Sequence, residues 1–263
     1  MEKMLILAGV FFVVSTMFSM LGMGGGILYV PILLIAGYTM DTAPGISLIL
    51  ILGTSLAALF TFSKKNMVDW KLAMLIDPPT DIMAFVGGYF SAMVPESVLR
   101  GILAGILIIA GILMIKQKKV GEVKIEKQGW WYWHRKFNGD EYIVNIPMVL
   151  TATALIGVLS GMLGITGGII KLPIMVLLCG VPMGVAVATS TVMVAVTALS
   201  GAAGHAASGT VDWKTGAILA VACIIAGTIG SKISLKIDKS KLKRIFGVVV
   251  LLIACRIIYK LII

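Results

Sequence analysis

Runs of about 20 mostly apolar residues recur along the whole chain, at 4–21, 43–62, 72–93, 98–115, 146–163, 185–204, 214–231 and 244–259. At about 1.5 Å of rise per residue, a helix of that length spans the roughly 30 Å hydrocarbon core of a bilayer. With every backbone N–H and C=O paired inside the helix, such runs are stable in lipid, and a chain made almost wholly of them has few other places to fold. The remaining residues agree. Hydrophobic residues make up 59% of the chain, charged ones 13%, and the mean hydropathy is +1.05, which leaves too little polar surface for a water-soluble domain. The expected class is an all-α polytopic membrane protein.

Two apolar runs, 26–37 and 168–180, are too short to cross comfortably, and each directly follows a glycine cluster. They read as half-helices. The clusters belong to an internal repeat: Gly22-Met-Gly-Gly-Gly-Ile-Leu-Tyr-Val-Pro31 matches Gly164-Ile-Thr-Gly-Gly-Ile-Ile-Lys-Leu-Pro173 at an offset of 142 (164 − 22). Val68-Asp69-Trp70-Lys71 matches Val211-Asp212-Trp213-Lys214 at 143 (211 − 68), and Ser47/Ser190, Thr54/Thr197, Gly87/Gly230 and Leu99/Leu242 keep that second offset. A register held over such a length marks a duplication. The first repeat is assigned to 1–115, a basic, aromatic linker to 116–145, and the second repeat to 146–263. Each repeat is expected to be a glycine-broken hairpin followed by three transmembrane helices.

Equivalent loops carry opposite charge bias. Loop 63–71 has Lys64, Lys65 and Lys71, whereas 206–214 has Lys214 offset by Asp212. Loop 94–97 holds Glu96 and no cation, whereas 232–243 holds Lys232, Lys236, Lys239, Lys241 and Lys243. Because basic loops stay in the cytoplasm, the halves are predicted to have inverted topology. Loops 63–71, 116–145 and 232–243 are then inside, and both termini outside, a multi-pass protein of the cell membrane. The net charge of +10 follows from these topogenic lysines, so no nucleic-acid partner is expected. The first run, preceded by Lys3, is expected to be structural and not a cleaved signal, since its counterpart recurs internally at 146–163. Cys179, Cys223 and Cys255 stand singly in apolar runs, which suits packing and not metal binding.

Unwound backbone at membrane depth is tolerated only where protein or a cavity satisfies it. Gly24, Gly25 and Gly26 in one half, and Thr166, Gly167 and Gly168 in the other, are therefore the candidate substrate-binding segments. Glycine lets a ligand approach bare N–H groups, and each half-helix start presents unpaired donors and partial positive charge to an anion. The competing reading is close helix packing by small residues. Ser47, Ser190, Thr191 and their neighbours could donate hydroxyls to an oxyanion, or could bond helix to helix. Lys171, where the first half has Tyr29, could add positive potential or could snorkel to the interface.

Asp77 and Asp81 share one helix face around Pro78-Pro79-Thr80. Asp77 is read as the cap of a helix starting at Pro78. Asp81, about 14 Å deep if the span enters near Leu72, is the candidate coupling group for a proton or sodium ion. The second half has Ala220 and Ile224 there. His205 reads as an interface residue, and Trp130, Trp131, Tyr132 and Trp133 with Arg135 and Lys136 as an interfacial anchor.

With the paired glycine segments, each followed by proline, and Gly209-x-Val-Asp-Trp213 in view, the chain resembles the sulfite exporter TauE/SafE (TSUP) family from about Leu7 to Ile258. The resemblance implies a transporter of sulfite, of organosulfonates such as sulfoacetate, or of other sulfur compounds. The 116–145 insert departs from the family pattern. Two functions are carried forward: a secondary transporter of a small sulfur oxyanion by alternating access, and a passive anion channel on the same scaffold. The sequence has no HExxH, no GxSxG and no GxxxxGK[ST], so neither an enzyme nor an ATP-driven pump is expected, and no cofactor.

Overall fold

The computed structural model describes residues 2–22, 26–115, 129–236, 248 and 250–257. The first half runs α1 (Glu2–Met20), α2 (Gly26–Ile35), α3 (Ala43–Ser63), α4 (Trp70–Ile76), α5 (Pro78–Phe90), a short 3-10 turn (Ser91–Met93) and α6 (Glu96–Ile115). After a two-stranded hairpin, β1 (Tyr132–Phe137) and β2 (Asp140–Asn145), come α7 (Ile146–Leu163), α8 (Gly168–Pro173), a π turn (Ile174–Leu178), α9 (Met183–Ala207) and α10 (Trp213–Ser234). Helical backbone is present again over 250–257. Among the described residues, five helices are long and apolar enough to cross a membrane: Lys3–Met20, Ala43–Ser63, Ile146–Leu163, Met183–Ala207 and Trp213–Ser234.

The burial pattern is that of a protein dissolved in lipid. Leu5, Phe60, Met74, Leu155, Val221 and Leu252 point outward, all more than half exposed, while Ser15, Ser47, Thr54, Thr189, Ser190 and Thr197 are fully enclosed. Hydroxyls face inward because hydrocarbon offers them no partner.

The principal helix contacts come in matched pairs. α1 packs on α10 as α7 packs on α5, and α3 packs on α10 as α9 packs on α5, while α3 and α9 pack on each other. The repeat equates these helices, so exchanging each for its counterpart returns the same set. Single atoms repeat the pattern. Cβ atoms built on Gly87 and Gly230 would lie 2.2 Å from Val158 O and 2.1 Å from Thr16 O, so glycine is what lets those backbones touch. Gly22 (φ 66°) and Gly164 (φ 63°) take the left-handed conformation that ends α1 and α7.

Three departures from the sequence reading have local causes. The expected span 72–93 is divided at Asp77, because Pro78 and Pro79 lack the N–H groups that would continue α4, whereas its counterpart α10 runs unbroken. The second expected half-helix, 168–180, changes from α to π geometry after Pro173. The third lies in the linker, where Tyr132 to Asn145 fold into an antiparallel pair closed by Asn138 (φ 52°) and Gly139 (φ 90°). Positive φ at both turn residues is the mirror-image turn whose twist matches that of the strands. Residues 116–128 of the linker, and Lys239, Lys241 and Lys243 of the last basic loop, lie outside the described residues.

Candidate functional site

The two broken segments approach each other beside α3 and α9. A Cβ on Gly26, which opens α2, would lie 3.0 Å from the Thr166 backbone nitrogen. Ser47 on α3 donates to Gly164 O at 2.6 Å, and its counterpart Ser190 on α9 donates to Gly22 O at 2.7 Å. Each half thus braces the other half's break. The hydroxyl hydrogens of both serines are spent on these carbonyls, and Thr191 donates to Val187 O at 2.9 Å, so in this conformation all three serve the backbone. Gly24 and Gly25 lie outside the described residues.

The second cluster keeps free capacity. Thr166 is 3% exposed, and among the described residues its hydroxyl has no hydrogen-bond partner. A buried polar group left in that state costs on the order of 1–3 kcal/mol. It lines a narrow, mostly apolar recess with Ile27, Ile156, Ser160 and Gly167, beside the start of α8 at Gly168.

Lys171, one turn into α8, is 1% exposed, which removes the snorkelling reading. Its ammonium donates to Asp77 Oδ1 at 2.5 Å and to Thr197 Oγ1 at 3.1 Å, and Thr197 in turn donates to Asp81 Oδ1 at 2.9 Å. Asp77 does stand at the start of α5, but its backbone is helical (φ −81°, ψ −35°) and the next two residues are prolines with no N–H to donate, so its side chain makes no cap bond and pairs with Lys171 instead. The equivalent site in the first half is neutral: Tyr29 bonds Ser15 and, at 3.1 Å, Thr54, the counterpart of Thr197. One architecture therefore holds a phenol in one half and a charged triad in the other. His205, expected at an interface, is fully buried, with Nε2 2.9 Å from Gly161 O and Nδ1 2.9 Å from Thr210 Oγ1.

The linker hairpin ends on the first Val-Asp-Trp. Asp69 caps α4 through Lys71 N and Leu72 N, its own N–H donates to Thr189 on α9, and its carboxylate is completely enclosed. Arg135 of β1 binds it in a bidentate fork, Nε to Oδ2 at 2.9 Å and Nη2 to Oδ1 at 3.1 Å, and the Tyr142 hydroxyl of β2 adds a third donor. Burial alone would raise the Asp69 pKa, but the bonds from Arg135, Tyr142 and Leu72 N outweigh it and hold the carboxyl below its usual value. Burial and the bond to Asp69 push the Tyr142 hydroxyl up. On its other side β2 donates Ile143 N to Cys179 O, at the end of the second broken segment. The hairpin thereby joins α4 of the first half to the break of the second. Asp212, the matching residue, caps α10 through the backbone N–H and hydroxyl of Thr215, with no guanidinium or phenol bonded to it among the described residues. Of the aromatic anchor, Trp130 is 86% exposed, whereas Trp133 packs on the core beneath the hairpin.

A family profile described as "Sulfite exporter TauE/SafE" matches residues 7–257. The chain is 29% identical to the probable membrane transporter protein YunE of Bacillus subtilis, over 94% of each. It is 27% identical to a probable membrane transporter protein of Methanocaldococcus jannaschii, over 91% of this chain and 89% of that one. It is 24% identical to the probable membrane transporter protein YfcA of Escherichia coli K12, over 90% and 82%. No solved structure matches.

Proposed function

The chain belongs to the sulfite exporter TauE/SafE family, a family of membrane transporters, and from that premise we propose that it exports a small sulfur-containing oxyanion, such as sulfite or an organosulfonate like sulfoacetate. The observation that carries this reading is the meeting of the two glycine-broken segments at Gly26 and Thr166, whose buried hydroxyl has no hydrogen-bond partner among the described residues. Gly24, Gly25 and Gly26 with Thr166, Gly167 and Gly168 supply backbone donors and a hydroxyl, Lys171 a full positive charge, and Ser47, Ser190 and Thr191 the bracing. An oxyanion in a low-dielectric interior needs such donors, and two helix starts offer them without binding so tightly as to prevent release. Alternating access then takes the form of two inverted halves moving about this seam, a reading supported by the swapped loop charges and the reciprocal contacts. Asp81, held by Thr197, is the coupling carboxylate for a proton or sodium ion.

Substrate affinity tests the site. Gly167→Val should weaken sulfite or sulfoacetate binding at least tenfold in folded, monodisperse protein, and Thr166→Val should weaken it about three- to tenfold, the worth of one hydrogen bond. A Gly167→Val protein that bound both anions as tightly as the parent would place the site elsewhere.

The orientation is testable separately, in the cell membrane. In a Cys255→Ser background, where the remaining Cys179 and Cys223 are buried, Lys65→Cys should react with an impermeant maleimide only after permeabilisation. Ala207→Cys should react in intact cells. The reverse pattern would invert the proposed topology, which has both termini outside.

A further inference from the structure

Resting on that reading of the anion site, we propose that Lys171 exchanges its bond to Asp77 for a bond to the transported anion, and that Asp77 takes up one proton as it is released. The geometry places both options within reach of one side chain. Lys171 Cε lies 3.5 Å from where a Cβ on Gly167 would sit, so its stem passes the second glycine cluster on the way to Asp77. In the proposed exchange, rotation about side-chain bonds turns the ammonium from the carboxylate toward the cluster.

Charge balance supplies the coupling. Without anion, Lys171 and Asp77 neutralise each other in a site where both are at most 5% exposed. When an anion claims the ammonium, the Asp77 carboxylate is left buried and unpaired, a state that costs far more than binding a proton from water. Among the described residues, the groups around Asp77 offer no substitute cation. On its own helix α5 there is Asp81, a like charge. α7 contributes no titratable side chain, α9 contributes Thr197 and the already engaged His205, and Lys71 of α4 is exposed. The step balances as anion plus proton in, with Lys171 remaining an ammonium and Asp77 becoming a carboxylic acid. The first half, with Tyr29 in place of Lys171, has no such exchange, so the exchange itself takes up one proton per anion, in addition to any ion that Asp81 carries.

Proton uptake by purified protein in weakly buffered detergent solution at pH 7, on adding saturating sulfoacetate, reads this directly, because sulfoacetate itself stays ionised there. The expected result is about one proton per bound anion, with affinity strengthening about tenfold per unit fall in pH, as linkage requires for one proton. Asp77→Asn should lower the uptake by about one proton per bound anion, the share taken at that carboxylate, while still binding the anion. Lys171→Gln should weaken binding more than tenfold. Should Asp77→Asn fail to fold, Lys171→Gln carries the test: with no ammonium to give up, its residual anion binding should take up about one proton fewer than the parent's. Anion binding with no proton uptake and a pH-independent affinity would overturn the exchange and leave the transporter reading standing. No binding of sulfoacetate, sulfite or thiosulfate by the parent would overturn both.

Discussion

Lys171→Met should destabilise the protein by about 3 kcal/mol or more, since removing one partner of a buried ion pair strands the other. Lys171 is 1% exposed and Asp77 5%, so solvent cannot compensate the loss. The same reasoning makes the double variant Lys171→Met/Asp77→Asn more stable than the single one: with neither charge present, most of the penalty is removed. Denaturant unfolding in detergent of the parent, both single variants and the double variant gives the cycle. A double variant whose losses simply added would show that the pair carries little of the stability. The double variant should nevertheless fail to transport, because the positive charge at the anion site is gone. Stability and activity are thus expected to separate at one position.

Asp69→Ala should be nearly as damaging, for a different reason. It removes the acceptor for Arg135, Tyr142 and two α4 N–H groups at once, leaving buried donors worth about 1–3 kcal/mol each without a partner. The hairpin should detach, becoming open to trypsin at Lys136, and the thermal midpoint should fall by several degrees. Asp212→Ala loses only a helix cap, about 1 kcal/mol. Equal effects at the two positions would contradict the clamp. The pH dependence follows from the same site. The carboxyl pKa of Asp69 is lower folded than unfolded, so its contribution is complete above the unfolded value near 4 and is lost as pH falls through the folded value. Hairpin docking should therefore not vary between pH 5 and 8, and should fail only in stronger acid.

The helices were legible because membrane spans announce themselves by length and apolarity. The run 146–163 coincides with α7, and 43–62, 185–204 and 214–231 fall within one to three residues of α3, α9 and α10. Pro78-Pro79 is equally visible, but a proline pair marks the end of one helix as well as the beginning of the next, and the apolar run across it conceals the end. The hairpin had a signal too. Asn138-Gly139 between Tyr132–Phe137 and Asp140–Asn145 is a turn motif flanked by strand formers, obscured by the abundance of lysine and tryptophan around it.

Pairings were not legible. Lys171 and Asp77 stand in different halves, and nothing in either neighbourhood names the other. The reciprocal bonds of Ser47 and Ser190 depend on how the halves interlock, which periodicity does not encode. His205 looked interfacial because it closes an apolar run, and it is buried because Gly161 offers its carbonyl there.

Flux through purified protein in proteoliposomes tests the central claim most directly, that this chain is a coupled transporter of a sulfur oxyanion. Vesicles loaded in turn with sulfite, sulfate, thiosulfate, sulfoacetate and taurine are followed with and without an imposed proton or sodium gradient. The predicted result is saturable movement of sulfite or sulfoacetate that depends steeply on the gradient of one of those cations and is abolished in Lys171→Met/Asp77→Asn. Movement that rose linearly with concentration and ignored both gradients would make the protein a passive anion channel, and no movement of any of the five would contradict the account at its root.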